Sequence, residues 1–375
     1  MKQTARIIST YSADTFGVCS ALFELGGMVI MHDASGCNST YTTHDEPRWY
    51  DMDSMVYISG LSEMEAIMGD DEKLIGDIVD AANNLHPKFI AIVGTPIPTM
   101  TGFDFTAVAE LVEDRTGIPT FGFDTTGMNT YVQGAAKAFE GIARRFVKRD
   151  VEKTEYLSAN ILGLTPLDFS VNGSDASMVK FLENAGFTVI SKWAMGSTLE
   201  ELTEAGRASV NLVVSATGLG VAKVLKELFG TPYVVGTPIG AAFQEELKHT
   251  LLNTAKGGLS DLELSSLPNS EIAVIGEGVT SLSLAQAIEL EYGIGVKVLC
   301  ATECERTLLR NKDVLTSDEE DVMEALSGMK MVIADPLYQP ICPKDAKFMS
   351  LPAESFSGRI YRNEIPNLID RFEEA

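Results

Sequence analysis

The chain has few basic residues. Its 375 residues include 29 Lys and Arg against 53 Asp and Glu, so its formal net charge at pH 7 is −24. Nucleic-acid binding needs clustered Lys and Arg, because a DNA duplex carries one negative charge per ~1.7 Å of its axis. An anionic membrane surface attracts the same kind of basic segment. We therefore expect neither nucleic acid nor a membrane as a partner.

Long hydrophobic runs are also missing. A membrane-spanning helix needs about 20 consecutive apolar residues, and the apolar runs of this chain, such as 89–93, are far shorter. Residues 1–9 contain only scattered apolar side chains and no signal-peptide core. We therefore expect a cytoplasmic protein.

Cysteine is scarce as well. The chain has five cysteines, and an odd, sparse set in a chain of this size does not indicate a disulfide framework. They are Cys19, Cys37, Cys300, Cys304 and Cys342. The zinc motifs C-x-x-C and H-E-x-x-H are both absent from the sequence, as is the phosphate-binding loop G-x-x-x-x-G-K-[ST]. We therefore do not expect this chain itself to bind ATP in a P-loop.

One pattern recurs in three stretches: a short apolar run, a turn rich in Gly, Pro and Thr, and an amphipathic helical segment. Such alternation predicts parallel sheets. A charged segment at 144–155 and a polar one at 254–270 predict two boundaries. We expect an α/β fold of three Rossmann-like domains, at 1–155, 156–255 and 256–375, with parallel sheets around a central cleft. Ligands bind outside the carboxyl ends of such strands, so the turns there are candidate sites.

The turn after the first predicted strand presents Cys37. The strand is expected at 28–31, and the turn reads His32-Asp33-Ala34-Ser35-Gly36-Cys37. A thiolate there could ligate a metal or an iron–sulfur cluster, or it could be a nucleophile; a buried structural thiol is the third alternative. Cys19 lies on the predicted helix that leads into this strand. The two thiols could therefore approach each other.

Two other regions are candidates for function. Charged and aromatic residues are dense at 43–51, which includes His44, Asp45 and Arg48. Such a mixture suits a binding site or an interface, and it is equally typical of a solvated loop. Cys300 and Cys304 would share one face if they were helical. With Cys342 they form either a small cluster or unrelated core and surface thiols.

The turn Gly276-Glu277-Gly278 lies between a predicted strand and a predicted helix. The dinucleotide fingerprint needs a third glycine three residues later, where Ser281 stands. A glutamate would also repel a pyrophosphate. We therefore interpret this segment as a structural turn.

Three segments carry a resemblance to a known family. The turn at 32–37 is similar to an H-G-P-x-G-C turn, and G-D-D-E-K-L at 69–74 is similar to a helix opening G-x-x-K-L. The predicted strand at 90–93 leads into a turn, 94–104, at the place of a cysteine-containing turn. On these segments the chain resembles the nitrogenase component 1 family, over essentially its whole length as three Rossmann-like domains.

The resemblance implies a nitrogenase-like iron–sulfur oxidoreductase subunit. Members of the family receive electrons from a separate iron–sulfur reductase of the nitrogenase iron protein type, and that reductase carries the ATP and Mg. They hold a cluster between two subunits and reduce a small-molecule or tetrapyrrole-like substrate. The chain is nearer in size to the nickel-sirohydrochlorin diamide reductive cyclase and protochlorophyllide reductase subunits than to nitrogenase proper. A homodimer or a heterodimer with a paralogous subunit is implied.

The resemblance also implies a cluster site. Cys37 matches the middle bridging cysteine of the family, while Tyr11 and Thr95 stand near the places of the first and third. Cys19 lies near the first place, so a symmetric dimer would supply four thiolates from Cys19 and Cys37. Four is the number that one bridging 4Fe–4S cluster needs.

A nitrogenase-type cofactor ligated in the family's way is not expected in the cleft. The second-domain cysteine and the third-domain histidine that hold it are replaced by Ser215 and, nearest, Pro352. His32, Thr95 and Ser215 remain candidates for binding a cofactor or substrate in the cleft. A cluster or cofactor assembly scaffold, and a non-redox Rossmann-type ligand-binding protein, are the alternative functions.

Overall fold

The structure is a computed structural model that describes residues 6–7, 10–34, 36, 41, 45–260, 262 and 264–372. Three sheets follow one another along this part of the chain, and all of their strand pairs are parallel. The α/β fold with parallel sheets expected from the sequence is thereby confirmed. None of the helices in the described ranges is long and apolar enough to cross a membrane.

The first sheet has four strands in the order β2-β1-β3-β4. Its strands are β1 (Met28–Met31), β2 (Met55–Ile58), β3 (Ile90–Val93) and β4 (Thr120–Phe123), and its helices are α1 (Asp14–Leu22), α2 (Glu63–Met68), α3 (Asp71–Leu85), α4 (Pro96–Thr101), α5 (Phe105–Thr116) and α6 (Tyr131–Phe146). The strands β1 and β3 are buried along their whole length, as central parallel strands covered on both faces should be. Asp70 and Asp104 cap the first turns of α3 and α5.

The second sheet also has four strands, in the order β6-β5-β7-β8. Its strands are β5 (Ser158–Leu164), β6 (Thr188–Ala194), β7 (Val210–Val213) and β8 (Tyr233–Val235), and its helices are α7 (Pro166–Phe169), α8 (Ser174–Asn184), α9 (Leu199–Thr203), α10 (Leu219–Phe229) and α11 (Ala241–Ala255). The strand β5 is buried throughout, and Thr165 and Pro166 begin α7 directly after it.

The third sheet has five strands in the order β11-β10-β9-β12-β13. Its strands are β9 (Ser270–Gly276), β10 (Gly295–Cys300), β11 (Val314–Leu315), β12 (Met331–Ala334) and β13 (Lys347–Ser350), and its helices are α12 (Gly278–Tyr292), α13 (Glu319–Ala325) and α14 (Glu354–Ser357). The two-residue strand β11 was not predicted, because it is too short to form an apolar run.

Helices pack closely within the first unit and between units, where α6 packs against α10 of the second sheet. Helices α1 and α6 approach so tightly that a Cβ added at Gly134 would lie 1.8 Å from the backbone oxygen of Asp14. The links between sheets run from the end of α6 to β5 and from the end of α11 to β9. Each sheet with its helices accounts for one unit, so we propose domain boundaries at 1–155, 156–255 and 256–375.

Candidate functional site

The carboxyl ends of the three sheets meet at one centre. Glu277, which follows β9, accepts a hydrogen bond from the backbone N–H of Ala216, which follows β7, at 2.8 Å. Glu303, which follows β10, accepts one from the N–H of Thr130 at 3.0 Å. These contacts link the third sheet to the second sheet and to the first. The turns after β7, β9 and β10 and the start of α6 therefore face one another.

A buried carboxyl lies at this centre. Asp168, in the short helix α7 that follows β5, accepts hydrogen bonds from the hydroxyl of Thr165 at 2.7 Å and from the hydroxyl of Tyr131 at the start of α6. Burial, with the nearby charge of Glu277 adding to it, raises the pKa of Asp168 to about 7. Near neutral pH this group can therefore both hold and release a proton.

Two neighbours of Asp168, Tyr131 and Glu277, have different hydrogen-bonding roles. Burial and the charges of Asp168 and Glu277 raise the pKa of Tyr131 well above its ordinary value, so the phenol stays protonated and donates. Glu277 caps α12: its carboxylate accepts hydrogen bonds from the N–H groups of Val279 at 3.0 Å and Thr280 at 2.9 Å. The helix N-terminus offers these donors to a negative charge.

A cavity of about 90 Å³ opens beside Asp168, between the second and third sheets. Its polar lining comprises Asp168, Ser174, Thr237, Glu277, Thr280, Ser281, Asp335 and Ser355, and the rest of its lining is mainly apolar. Burial raises the pKa of Asp335 too, although this carboxylate accepts hydrogen bonds from Ser357 and from backbone N–H groups. The lining contains no cysteine or histidine among the described residues. The cavity thus offers protons and hydrogen bonds but no soft metal ligands.

Two of the residues predicted to bind a ligand in the cleft, Ser215 and Thr95, lie in different places relative to this centre. The Ser215 hydroxyl donates to the backbone oxygen of Gly163 at 2.8 Å and is close enough to Asp168 to lower the pKa of that carboxyl. It does not line the cavity. Thr95 is fully buried in the first domain, where its hydroxyl donates to the backbone oxygen of His32 at 2.9 Å. Of these candidates, only Ser215 belongs to the central group.

His32 lies at the carboxyl end of the first sheet. Its Nδ1 is 2.9 Å from the hydroxyl of Ser59, and its ring packs against Phe103 at a centroid distance of 4.5 Å. Burial lowers the pKa of His32 to about 4. The imidazole is therefore neutral at pH 7.

Cys19 is completely buried within α1. Burial and the neighbouring charge of Glu46 raise the pKa of its thiol. Cys37 and His44 lie outside the described residues. Within the described ranges, no group of three His, Cys, Asp or Glu side chains is arranged to hold a metal ion. These residues alone therefore do not fit a metal cluster.

Arg48 and Asp45 are buried, which differs from a solvated loop. The Arg48 guanidinium donates to Glu46 at 2.5 Å, to Glu24 at 2.9 Å and to the backbone oxygen of Ser20 at 2.8 Å. Asp45 accepts a hydrogen bond from the hydroxyl of Tyr11 at 2.6 Å. In this structure both side chains hold the loop to its neighbours, and neither lines the central cavity.

Sequence reasoning missed Asp168 and Tyr131 as site residues and interpreted Glu277 as part of a structural turn. The signal for the two acids was their position: Asp168 and Glu277 each follow a buried strand, where parallel sheets place their ligands. Tyr131 carried no comparable signal, because it opens a helix whose apolar face is ordinary core.

Comparisons with a family model and with individual proteins point to the same family. A model of the family described as nitrogenase component 1 type oxidoreductase matches residues 14–256. The nitrogenase iron-molybdenum cofactor biosynthesis protein NifE of Clostridium pasteurianum is 26% identical over 203 residues, which are 53% of this chain and 42% of that protein. A light-independent protochlorophyllide reductase component of Leptolyngbya boryana is 25% identical over 304 residues, 70% of this chain and 59% of that protein.

A solved structure supports the fold over the full length. The structure described as nitrogenase Cp1 at pH 6.5 superposes with a TM-score of 0.71 and 17% identity, covering 100% of this chain and 93% of that chain. The matched segments span less than two thirds of the length of these two sequence relatives. At 17% identity, the similarity to the nitrogenase Cp1 structure shows a shared fold.

Proposed function

We propose, since the chain belongs to the nitrogenase component 1 type oxidoreductase family, that it is the substrate-reducing subunit of a two-component iron–sulfur oxidoreductase. Its electrons come from a separate reductase of the nitrogenase iron protein type, which hydrolyses ATP with Mg. Its substrate binds where the carboxyl ends of the three sheets meet. The chain's own part is to bind that substrate, to exclude water and to supply protons.

The observation that carries this proposal is the buried carboxyl of Asp168. A reduction that adds electrons to a substrate also needs protons, and a general acid works best when its pKa lies near the working pH. Asp168 has a pKa of about 7 and lines the cavity. Tyr131 keeps a hydrogen bond on this carboxyl and so positions it.

The cavity size favours a small substrate. A tetrapyrrole is a drug-sized ligand, and such ligands occupy pockets of about 300–1,000 Å³. The described cavity has about 90 Å³. A tetrapyrrole would therefore require the second and third sheets to move apart, and the hydrogen bond between Glu277 and Ala216 would break.

The proposed cofactor is one 4Fe–4S cluster between two subunits, with Cys19 and Cys37 as its ligands. Of these two proposed ligands, only Cys19 lies within the described residues, and its burial disfavours the thiolate. We therefore derive no step through the cluster. Iron and acid-labile sulfide are measured after anaerobic purification or reconstitution. We expect about four irons per dimer, lost in Cys37→Ala and Cys19→Ser and retained in the control Cys342→Ser. Iron-free protein throughout would refute the cluster.

The second subunit is proposed to dock on a methionine-rich face of the first domain. Helices α2 and α4 pack against each other and expose a set of large apolar side chains. These are Met64, Ile67 and Met68 on α2, and Ile97 and Met100 on α4, with Met128 after β4. Monomers rarely expose a continuous apolar patch of this kind, and methionine is enriched in interfaces. We propose a second copy of this chain as the partner.

Light scattering after size exclusion tests the dimer. Wild type should elute as a dimer, Met100→Glu as a monomer, and the control Met323→Glu, on the distant α13, as a dimer. A wild-type monomer that pairs only with an added paralogous subunit would replace the homodimer with a heterodimer. A dimer that Met100→Glu leaves intact would move the interface elsewhere.

The enzymatic proposal is tested by ATP-dependent turnover with an iron-protein-type reductase. We expect Asp168→Asn to lower turnover about 10²–10⁴-fold, as loss of a general acid does, at unchanged iron content. Asp104→Asn is the matched control, because Asn caps a helix as well as Asp does. Cluster transfer to an acceptor without any ATP-dependent turnover would instead establish an assembly scaffold.

A further inference from the structure

Two cysteines of the third domain lie together at the start of a helix. Cys300 ends β10, and the chain between it and Cys304 is a loop, so the two are not the helical pair considered from the sequence. A Cβ added at Gly278, the first residue of α12, would lie 2.5 Å from the Cys304 Sγ and 3.2 Å from the Cys300 Sγ. Both sulfurs therefore converge on one glycine, which leaves room for them.

The two thiols differ in access. Cys300 is fully buried and its Sγ donates to the backbone oxygen of Thr302 at 3.4 Å, whereas Cys304 is partly exposed. A reagent from solvent therefore reaches Cys304 first. Cys300 is then the neighbouring thiol, since it also lies against Gly278. This is the arrangement of an attacking and a resolving cysteine.

We propose that Cys300 and Cys304 form a reversible disulfide by exchange with a low-molecular-weight disulfide of the glutathione type. The Cys304 thiolate attacks one sulfur of the small disulfide, and one small thiol leaves with a proton. The Cys300 thiolate then attacks the Cys304 sulfur of the mixed disulfide, and the second small thiol leaves. Two protein thiols are oxidised, and the small disulfide is reduced to two thiols.

The surroundings favour the disulfide once it has formed. The contact with Cys300 and burial raise the pKa of Cys304, with the charges of Glu277 and Glu305 adding to the effect. A thiol of high pKa is a poor leaving group, so reduction of its disulfide is slow. Formation is slow for the same reason, because little thiolate is present at neutral pH. We therefore expect a stable bond that forms over a long exposure to oxidant.

The bond would affect a segment that joins all three domains. Within the loop, Glu303 accepts hydrogen bonds from Thr130 in the first domain. Glu305, next to Cys304, forms an ion pair with Lys223 in the second domain. A disulfide would shorten the loop between its two ends. It would thereby restrain the contacts that hold the third domain to the other two.

Peptide mapping tests the proposal without an activity assay. Trypsin cleaves after Lys297 and Arg306, so both cysteines fall on the peptide 298–306. Full-length protein is equilibrated with oxidised glutathione, alkylated and digested. We expect this peptide to be two hydrogen atoms lighter, with its alkylation reduced at least about tenfold and restored by dithiothreitol. Cys342, on the separate peptide 331–344, is the internal control, because a lone cysteine on a peptide can take up glutathione but cannot form a disulfide within it.

Single variants identify the order of attack. Cys300→Ser should trap one glutathione on Cys304, because the resolving thiol is gone, whereas Cys304→Ser should leave Cys300 unmodified in its buried position. Two alkylated cysteines in the wild-type peptide after prolonged oxidation would overturn the proposal. A bond from either cysteine to Cys342, or two glutathiones on the wild-type peptide, would overturn it as well.

Discussion

Replacing Arg48 by methionine tests whether this residue is a structural cation. Arg48 is 3% exposed, and its guanidinium pairs with Glu46 at 2.5 Å and Glu24 at 2.9 Å. It also lies 4.8 Å from the ring centroid of Phe23. Methionine fills a similar length and keeps the apolar contacts, so the substitution removes chiefly the charge.

The expected loss of stability follows from the carboxylates left behind. The side chain of Glu46 is completely buried and that of Glu24 nearly so. Breaking a buried ion pair by removing one partner destabilises a protein by about 3–5 kcal/mol, because a buried charge is left uncompensated. We expect Arg48→Met to lower the free energy of unfolding by that amount at pH 7.

The pH dependence gives the prediction a second readout. In the variant, Glu46 is buried without a cation, and burial of an unpaired carboxyl favours its neutral form over its charged form. The folded variant then binds more protons than the unfolded chain, so its stability falls as the pH rises. The deficit relative to wild type should therefore shrink as the pH is lowered from 7 towards 5. Adding Glu46→Gln should recover part of the loss at pH 7.

Urea unfolding followed by tryptophan fluorescence measures these differences. Arg115→Met is the matched control, because the Arg115–Glu72 pair is exposed on both sides, and it should change stability little. An Arg48→Met protein as stable as wild type at pH 7 would refute the reasoning. Arg48 would then be available for a substrate or a partner, as its position in a charged, aromatic segment suggested.

Three further outcomes follow from the structure. Burial lowers the pKa of His32 to about 4, so the folded state binds fewer protons than the unfolded chain between pH 6.5 and 4; His32→Gln should remove about 3 kcal/mol of the stability lost on acidification. Gly134→Ala places a methyl group 1.8 Å from a backbone oxygen of α1 and should destabilise the folded protein by at least about 1–3 kcal/mol. Gly76→Ala, in open space within α3, should instead stabilise it by about 0.5–1 kcal/mol. Urea unfolding measures the stability of all three variants. Glu277→Gln should lower the pKa of Asp168, as followed by an infrared titration of its carboxyl band, and an unchanged midpoint would contradict the assigned coupling.

The fold could be predicted because its signals are local. The run Met28–Met31 is short, apolar and followed by a turn, and it became the buried central strand β1. The helix α3 begins after an aspartate cap and has the expected apolar face. The order of the strands in the sheet could not be predicted in this way. The strand β1 pairs with both β2 and β3, and nothing local in the sequence selects these neighbours.

The candidate site could be predicted only in part, because its parts come from distant segments. Charged and aromatic residues surround Arg48 in sequence, which suits a binding site or an interface and is equally typical of a solvated loop. Its partner Glu24 lies in the turn between α1 and β1, so the compensation that permits burial is invisible locally. The cysteines of the resemblance pointed to the first domain, and Cys19 proved to be a core residue there.

The proton chemistry of the centre depends on the assembly of all three domains. Asp168 belongs to the second domain, Tyr131 to the first and Glu277 to the third. Burial is the largest cause of the raised pKa of Asp168, and the charge of Glu277 is the next. Separating the sheets would expose the carboxyl to water and remove that charge, so its pKa would fall towards the ordinary value. Asp168 is therefore an acid near neutral pH only when the three sheets are assembled, so its role has to be measured in protein that contains all three.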